Sequence, residues 1–114
     1  MAASLNIVQQ FMNALNNEDW AKAEALLTPD FKFAGVMGSR EGASNYMEDM
    51  SRMKIKYNIH QVFENGNDVA VLCDYDMNGQ SIFGCSWYQL RGDKINLLRV
   101  VFDPRPLLDK KPAH

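Results

Sequence analysis

The chain has 114 residues, of which 46% are hydrophobic and 23% are charged. This is the length of one domain and the composition of a globular protein, so a disordered chain is excluded. The 12 basic and 14 acidic residues give a formal net charge of −2, which argues against charge-driven binding to nucleic acid. We expect a single domain over residues 1–114, with a core at about 4–104 and a short proline-containing tail over 105–114.

The sequence indicates neither a targeting signal nor a membrane-spanning segment. Met1-Ala2-Ala3-Ser4 lacks a basic stretch followed by a continuous apolar run. No segment approaches the roughly 18 apolar residues of a membrane-spanning helix. The two cysteines, Cys73 and Cys85, are too few for a disulfide framework and form no zinc-type cluster. These features predict a cytoplasmic protein with two reduced thiols, no membrane contact, no metal and no cofactor.

Two helices are predicted at the N-terminus. Apolar residues recur at helical spacing over residues 5–15, directly after Ser4, a favourable N-cap. A second helix starts at Glu18-Asp19. Thr28-Pro29 is expected to end it, because the residue before a proline disfavours helical backbone angles. The pair is predicted to form a helical hairpin with a very short connection.

A short strand and a third helix follow. Phe31 and Phe33 flank Lys32 with the alternation of a strand. Residues 35–39 are predicted to form a loop. The third helix is indicated by apolar residues at spacings of three and four, namely Ala43, Tyr46, Met47, Met50 and Met53.

Four long strands complete the chain. After Met53 the apolar period changes from 3.6 to 2. Turns at Asn65-Gly66, Asn78-Gly79 and Arg91-Gly92-Asp93 divide the remaining residues into strands. A run of helices and then a run of strands indicates an α+β fold. We expect a cone-shaped curved antiparallel sheet wrapped around three N-terminal helices, a cystatin-like α+β barrel with a pocket between sheet and helices.

Several segments resemble the nuclear-transport-factor-2-like (NTF2-like) superfamily. They are residues 7–16 with Asp19-Trp20, residues 25–33, and Gly38 with Gly42 at the start of the third helix. The chain is most similar to the SnoaL-like group, which shares its cone with ketosteroid isomerases and polyketide cyclases. The resemblance covers about residues 4–104. It implies the fold more strongly than an activity.

The catalytic positions of ketosteroid isomerases can be placed on this chain. Those enzymes use an aspartate base and an oxyanion hole of a tyrosine and a protonated aspartate. The resemblance places the tyrosine at Phe11, the base at Gly35 and the second aspartate at Ser86. All three positions depart from the family. Phe11 cannot donate a hydrogen bond and Gly35 has no base, so we do not expect steroid isomerisation by this mechanism. If this chain catalyses an isomerase, cyclase or lyase reaction by another mechanism, its base is expected to be His60 or Asp103.

The two-residue turn at Asn78-Gly79 determines which residues of its hairpin share a face. The family position of Ser86 makes its face the concave one, together with Tyr75 and Tyr88. Trp87 is then expected on the outer face. The same register sends the two cysteines to opposite faces, which argues against a disulfide between them.

Two points stay open. A three-residue loop at 91–93 would direct Leu98, Val100 and Phe102 into the pocket, whereas a two-residue loop at Gly92-Asp93 would direct Arg99, Val101 and Asp103 there. His60 is either a general base in the pocket or a histidine that faces solvent or an interface.

The prediction that follows is a small SnoaL-like protein that binds a mostly apolar small molecule. The expected ligand-binding residues are Phe11, Phe33, Tyr46, Met50, Tyr57, Tyr75, Ser86, Tyr88 and Val100. One alternative is a cofactor-independent isomerase, cyclase or lyase acting on a polyketide- or steroid-like substrate. Another is a non-catalytic protein-interaction module. The apolar outer face of the sheet, with Phe83 and Trp87, predicts a homodimer.

Overall fold

The structure, a computed structural model, describes residues 3–108. Residues 1, 2 and 109–114 lie outside the described residues, and with them most of the predicted tail. Helices and strands follow in the order α1 (Ala3–Asn16), α2 (Trp20–Ala25), β1 (Leu27–Gly35), β2 (Gly38–Glu41), α3 (Ala43–Met53), β3 (Lys56–Asn65), β4 (Asp68–Met77), β5 (Gln80–Arg91), β6 (Lys94–Phe102) and α4 (Arg105–Leu108).

The strands form one six-stranded sheet in the order β2-β1-β6-β5-β4-β3. Strands β3 to β6 form an antiparallel meander, and β1 adds to β6 in parallel. The sheet is curved and unclosed, and the helices cover its inner face. The predicted α+β cone is confirmed.

The second helix is shorter than predicted. It ends at Ala25, and Thr28-Pro29 lies inside β1. The reason is a tertiary contact, because the Ile95 amide donates to the Leu26 carbonyl at 2.8 Å and draws the chain into the sheet. Pro29 is tolerated there because the β1–β6 register shifts between residues 27 and 32. Ser4 lies inside α1 rather than capping it.

Strand β2 replaces a segment whose first half was predicted to be loop. It pairs with the end of β1, and Arg40 lies opposite Phe33. All four of its residues are exposed, so its sequence carries no alternation of apolar and polar residues. The hairpin turn consists of Val36 and Met37.

The β4–β5 register is the predicted one. Asn78 and Gly79 both have positive φ, at 51° and 78°, as the mirror-image two-residue turn requires. Tyr75, Ser86 and Tyr88 are buried on the inner face, whereas the Trp87 side chain is 42% exposed. The predicted orientation of this hairpin is confirmed.

Strand β3 contains a bulge that reverses its faces. The register with β4 shifts between Ile59 and Gln61, which leaves His60 as the extra residue. Strict alternation from Tyr57 would place Phe63 on the inner face, but Phe63 is exposed on the outer face, and Val62 packs against the core instead. A single-phase reading of this strand was therefore wrong beyond the bulge.

The last hairpin combines the two loop alternatives. Arg91 pairs with Lys94, so the turn has two residues, but a register shift between Gln89 and Leu90 follows at once. The shift restores the phase of the three-residue alternative. Leu98, Val100 and Phe102 therefore face inward, as that alternative expected, because the bulge supplies the extra residue that the loop lacks.

Candidate ligand-binding cavity

A cavity of about 410 Å³ opens at one end of the cone, between the β1–β2 hairpin, α3 and the inner face of the sheet. Three exposed apolar side chains, Val36, Met37 and Met53, stand at its rim. Within residues 3–108 the lining consists of Phe33, Gly35, Val36, Met37, Gly38, Ser39, Arg40, Tyr46, Asp49, Met50, Met53, Ile55, Tyr57, Tyr75, Met77, Asn78, Val100, Phe102 and Leu107.

Aromatic rings form much of the wall. Phe33 and Tyr46 have ring centroids 5.1 Å apart. On the other side, the Tyr75 ring packs edge-on against Tyr57, with ring centroids 5.7 Å apart, and its centroid lies 5.8 Å from that of Phe102. Such contacts hold the rings in defined positions. The cavity wall therefore consists of aromatic side chains that are held in place by contacts with one another.

Position 35 accommodates glycine because the Phe33 ring occupies the space that a side chain there would need. A Cβ on Gly35 would lie 2.8 Å from Phe33 Cζ. Phe33 can therefore turn across the strand end and line the cavity. The position that the resemblance assigned to a catalytic base is filled by a neighbouring aromatic ring.

The tyrosine hydroxyls are the polar groups of the interior. Burial raises the pKa of Tyr46, Tyr57 and Tyr75 above the ordinary value. All three stay protonated at neutral pH. They can therefore donate hydrogen bonds to a ligand oxygen but cannot act as bases.

A charged cluster stands at the mouth. Arg40 Nε lies 2.9 Å from Asp49 Oδ2, and the other oxygen of Asp49 accepts a hydrogen bond from Arg52 Nη2 at 2.9 Å. Arg40 and Asp49 line the cavity, whereas Arg52 does not. One carboxylate thus joins two guanidinium groups, and it holds Arg40 at the entrance.

Six of the nine expected ligand-binding residues line the cavity: Phe33, Tyr46, Met50, Tyr57, Tyr75 and Val100. The other three are buried and do not line it. The rings of Phe11 and Tyr88 pack edge-on, 5.9 Å apart. The Ser86 hydroxyl lies 2.7 Å from that of Tyr75 and supports a lining residue rather than the ligand itself.

Neither candidate base is in the cavity. His60 Nε2 donates to Asp74 Oδ2 at 2.9 Å on the outer face of the sheet, beside Phe83. Asp103 is exposed and pairs with Arg105. The β3 bulge and the end of β6 direct both groups away from the inner face. Arg99 also points outward, with its guanidinium 5.8 Å from the Trp87 ring centroid.

Two charged lining residues, Arg40 and Asp49, were not among the predicted site residues. Asp49 had a usable signal, because it follows Tyr46 by three residues and so shares its side of α3. Arg40 had none, since β2 was not predicted. The same holds for Leu107, which lines the cavity from α4, a segment expected to be tail.

Within residues 3–108, no three histidine, cysteine, aspartate or glutamate side chains are grouped to hold a metal ion. In the same range, no helix has the length and apolar character needed to cross a membrane.

The sequence and the structure were compared with known proteins. Residues 8–97 match the family model of the SnoaL-like domain. An NTF2-like protein of unknown function from Cytophaga hutchinsonii is 45% identical, with a TM-score of 0.91 over 92% of this chain and 94% of that one. No curated protein matches the chain.

Two more distant structures share the fold. An LEH-like epoxide hydrolase from M. tuberculosis is 21% identical, with a TM-score of 0.81 over 96% of this chain and 89% of that one. TerC, crystallised with polyporic acid, is 12% identical, with a TM-score of 0.82 over 94% and 96% of the two chains. At these identities the likeness concerns the fold alone.

Proposed function

Because this chain belongs to the SnoaL-like domain family, we propose that it binds a mostly apolar small molecule in the cavity of the cone. The observation that carries the proposal is the open cavity of about 410 Å³, a volume typical of small-molecule sites. Met50 and Phe102 line this space and do not fill it. A cone that served only as a hydrophobic core would be closed by such side chains.

The interior also offers the few polar groups that such sites use to orient a ligand. The protonated hydroxyls of Tyr46 and Tyr57 can donate to a carbonyl or hydroxyl oxygen. Tyr75 already shares a hydrogen bond with Ser86, so it has less to offer. The proposed ligand is therefore apolar over most of its surface and carries at least one oxygen.

The test uses N-phenyl-1-naphthylamine, a neutral probe whose fluorescence rises in apolar surroundings. We expect saturable binding to the wild type, loss of binding in Val100→Trp, and unchanged binding in Val101→Trp. The two valines are neighbours on β6 but face opposite sides, with exposures of 9% and 58%. Equal binding by both variants would place the probe outside the cavity and contradict the proposal.

A second candidate function is a cofactor-independent isomerase, cyclase or lyase acting on a polyketide- or steroid-like substrate. Asp49 supports it, because its carboxylate lies at the cavity wall near protonated tyrosines. In such a reaction Asp49 would exchange its contact with Arg40 or Arg52 for a substrate proton, and a tyrosine would stabilise the resulting oxyanion. Conversion of a substrate by the wild type and not by Asp49→Asn would support turnover. Conversion unaffected by that change would exclude Asp49.

We also propose a homodimer through the outer sheet face. Phe83, Trp87 and Val101 are exposed there, and large apolar side chains clustered on one exposed face are typical of an interaction surface. Asp74, which would oppose close approach, is already hydrogen-bonded to His60. Light scattering should give about twice the chain mass, and Trp87→Glu should halve it. The matched variant Met37→Glu, at the cavity rim, should stay dimeric, and a monomeric wild type would refute the interface.

An interaction module that binds another protein through the same outer face is the remaining alternative. A monomeric wild type with an empty cavity would favour it over the dimer and over ligand binding. The organisation of residues 1–114 as one domain and the cytoplasmic location also stay predictions.

A further inference from the structure

We propose that the ligand carries an acidic group and that Arg40 selects it at the mouth of the cavity. This inference rests on the proposed ligand-binding function and adds the chemical class of the ligand: an apolar, ring-containing body with a carboxylate or a similarly acidic oxygen at one end. It also assigns Arg40 as a specificity-determining residue, since Arg40 is the cationic side chain among the lining residues within 3–108.

Strand pairing places Arg40 for this role. It lies opposite Phe33 in the β1–β2 ladder, so both side chains leave the hairpin on the same side. Phe33 lines the cavity and contacts Tyr46 of α3. A flat ring that packs on this aromatic wall would therefore bring a substituent at its outer end to the guanidinium.

The charged cluster at the mouth of the cavity offers hydrogen-bond donors rather than acceptors. Both oxygens of Asp49 are engaged, one by Arg40 and the other by Arg52. Arg40 approaches Asp49 through Nε, and within residues 3–108 its two Nη groups have no hydrogen-bond partner. Arg52 is also paired with Glu48, at 3.3 Å, so its charge is balanced outside the cavity lining. Toward the cavity the cluster therefore presents the Nη donors of Arg40 but no free carboxylate. A planar guanidinium with two such donors matches a carboxylate.

Partial exposure suits a residue that meets a ligand at the entrance. The Arg40 side chain is 42% exposed, so it keeps part of its hydration when the cavity is empty. Asp49 holds the guanidinium in place, which reduces the conformational entropy lost when a ligand binds. The acidic group of the ligand would thus bind the Arg40 guanidinium at the opening, while the apolar body of the ligand enters the aromatic interior.

A pair of probes that differ in one group tests the inference. 8-Anilinonaphthalene-1-sulfonate is N-phenyl-1-naphthylamine with an added sulfonate, which stands in for the acidic group. We expect the sulfonate to bind the wild type more tightly than the neutral probe. Arg40→Gln should weaken the sulfonate about tenfold, the loss of roughly one charge-assisted hydrogen bond, and leave the neutral probe unchanged. Arg40→Lys should restore part of the difference.

Arg91→Gln is the matched control. Arg91 is also an exposed arginine in an ion pair, with Asp30 at 2.7 Å, but it lies at the C-terminal end of β5 and does not line the cavity. The Arg91→Gln variant should bind both probes like the wild type. Unchanged binding of the neutral probe by Arg40→Gln also shows that the variant is folded, so a lost preference cannot be attributed to unfolding.

The possible failures are distinguishable. In one outcome the neutral probe binds, Val100→Trp abolishes that binding, and the sulfonate shows no higher affinity that depends on Arg40. The acidic ligand is then refuted and the proposal of an apolar binding cavity stands. If neither probe responds to Val100→Trp, the proposed ligand-binding function fails, and this inference fails with it.

Discussion

The hydroxyl of Tyr75 lies 2.7 Å from Ser86 Oγ, although the two residues are not opposite each other in the sheet. Tyr75 is paired with Ile82, so its ring has to cross Gly84 to reach Ser86. A Cβ on Gly84 would lie 2.7 Å from Tyr75 Cε2. The missing side chain is what allows a buried tyrosine on the cavity wall to find its hydrogen-bond partner.

Gly84→Ala should destabilise the fold. The new Cβ would also lie 2.5 Å from the Val101 carbonyl oxygen, a backbone atom that cannot turn aside. We expect a loss of about 1–3 kcal/mol in the free energy of unfolding, the usual cost of overpacking, measured by urea denaturation. Ser81→Ala, on the exposed side of the same strand, should change it by less than about 0.5 kcal/mol. Equal stability of the two variants would contradict this account of Gly84.

The Tyr75–Ser86 pair should show energetic coupling. Ser86→Ala leaves a buried tyrosine hydroxyl without its partner, at a cost of about 1–3 kcal/mol. Tyr75→Phe removes the other member of the pair. The double variant should lose less stability than the two single losses added together, because the remaining orphaned group disappears. Simple additivity in a double-mutant cycle would mean that the hydrogen bond is not formed in solution.

Alkaline pH should unfold the protein through its tyrosines. Burial raises the pKa of all four, namely Tyr46, Tyr57, Tyr75 and Tyr88, above the ordinary value of 10.0. The resulting stabilisation is complete below the unfolded-state pKa and declines as the pH rises above it, since only the unfolded chain ionises there. Absorbance at 295 nm should therefore rise together with the loss of circular dichroism. Ionisation at pH 10 with the fold intact would contradict the burial of these hydroxyls.

The two thiols should react at different rates. Cys73 is fully buried, and burial raises its pKa to about 11, whereas Cys85 is half-buried on the outer face. In the native protein, Ellman's reagent should modify Cys85 first. In Cys85→Ser the remaining thiol should react only as fast as the protein unfolds. Denatured wild type prepared without reductant should show both thiols, and an intramolecular Cys73–Cys85 disulfide would mean that either the predicted register or the predicted compartment is wrong.

Much of the candidate site could be predicted because it depends on local chemistry. The helical spacing of Tyr46 and Met50 places them on the side of α3 that faces the sheet. The spacing extends to Asp49, which the sequence analysis could have included. By contrast, Arg40 lies on an exposed edge strand that no apolar pattern marks. It meets Asp49 only because β2 pairs with β1 beside α3.

The sequence by itself determined the α+β class, the order of the main helices and strands, and which residues of the β4–β5 hairpin share a face. Those features follow from short-range periodicity and from a turn, Asn78-Gly79, whose two positive φ angles suit its residues. Only the tertiary structure decided the bulges at His60 and after Gln89, and with them which side chains of β3 and β6 face the cavity. A bulge relieves the strain of a curved sheet, and that curvature arises from the packing of distant segments, which no local pattern records.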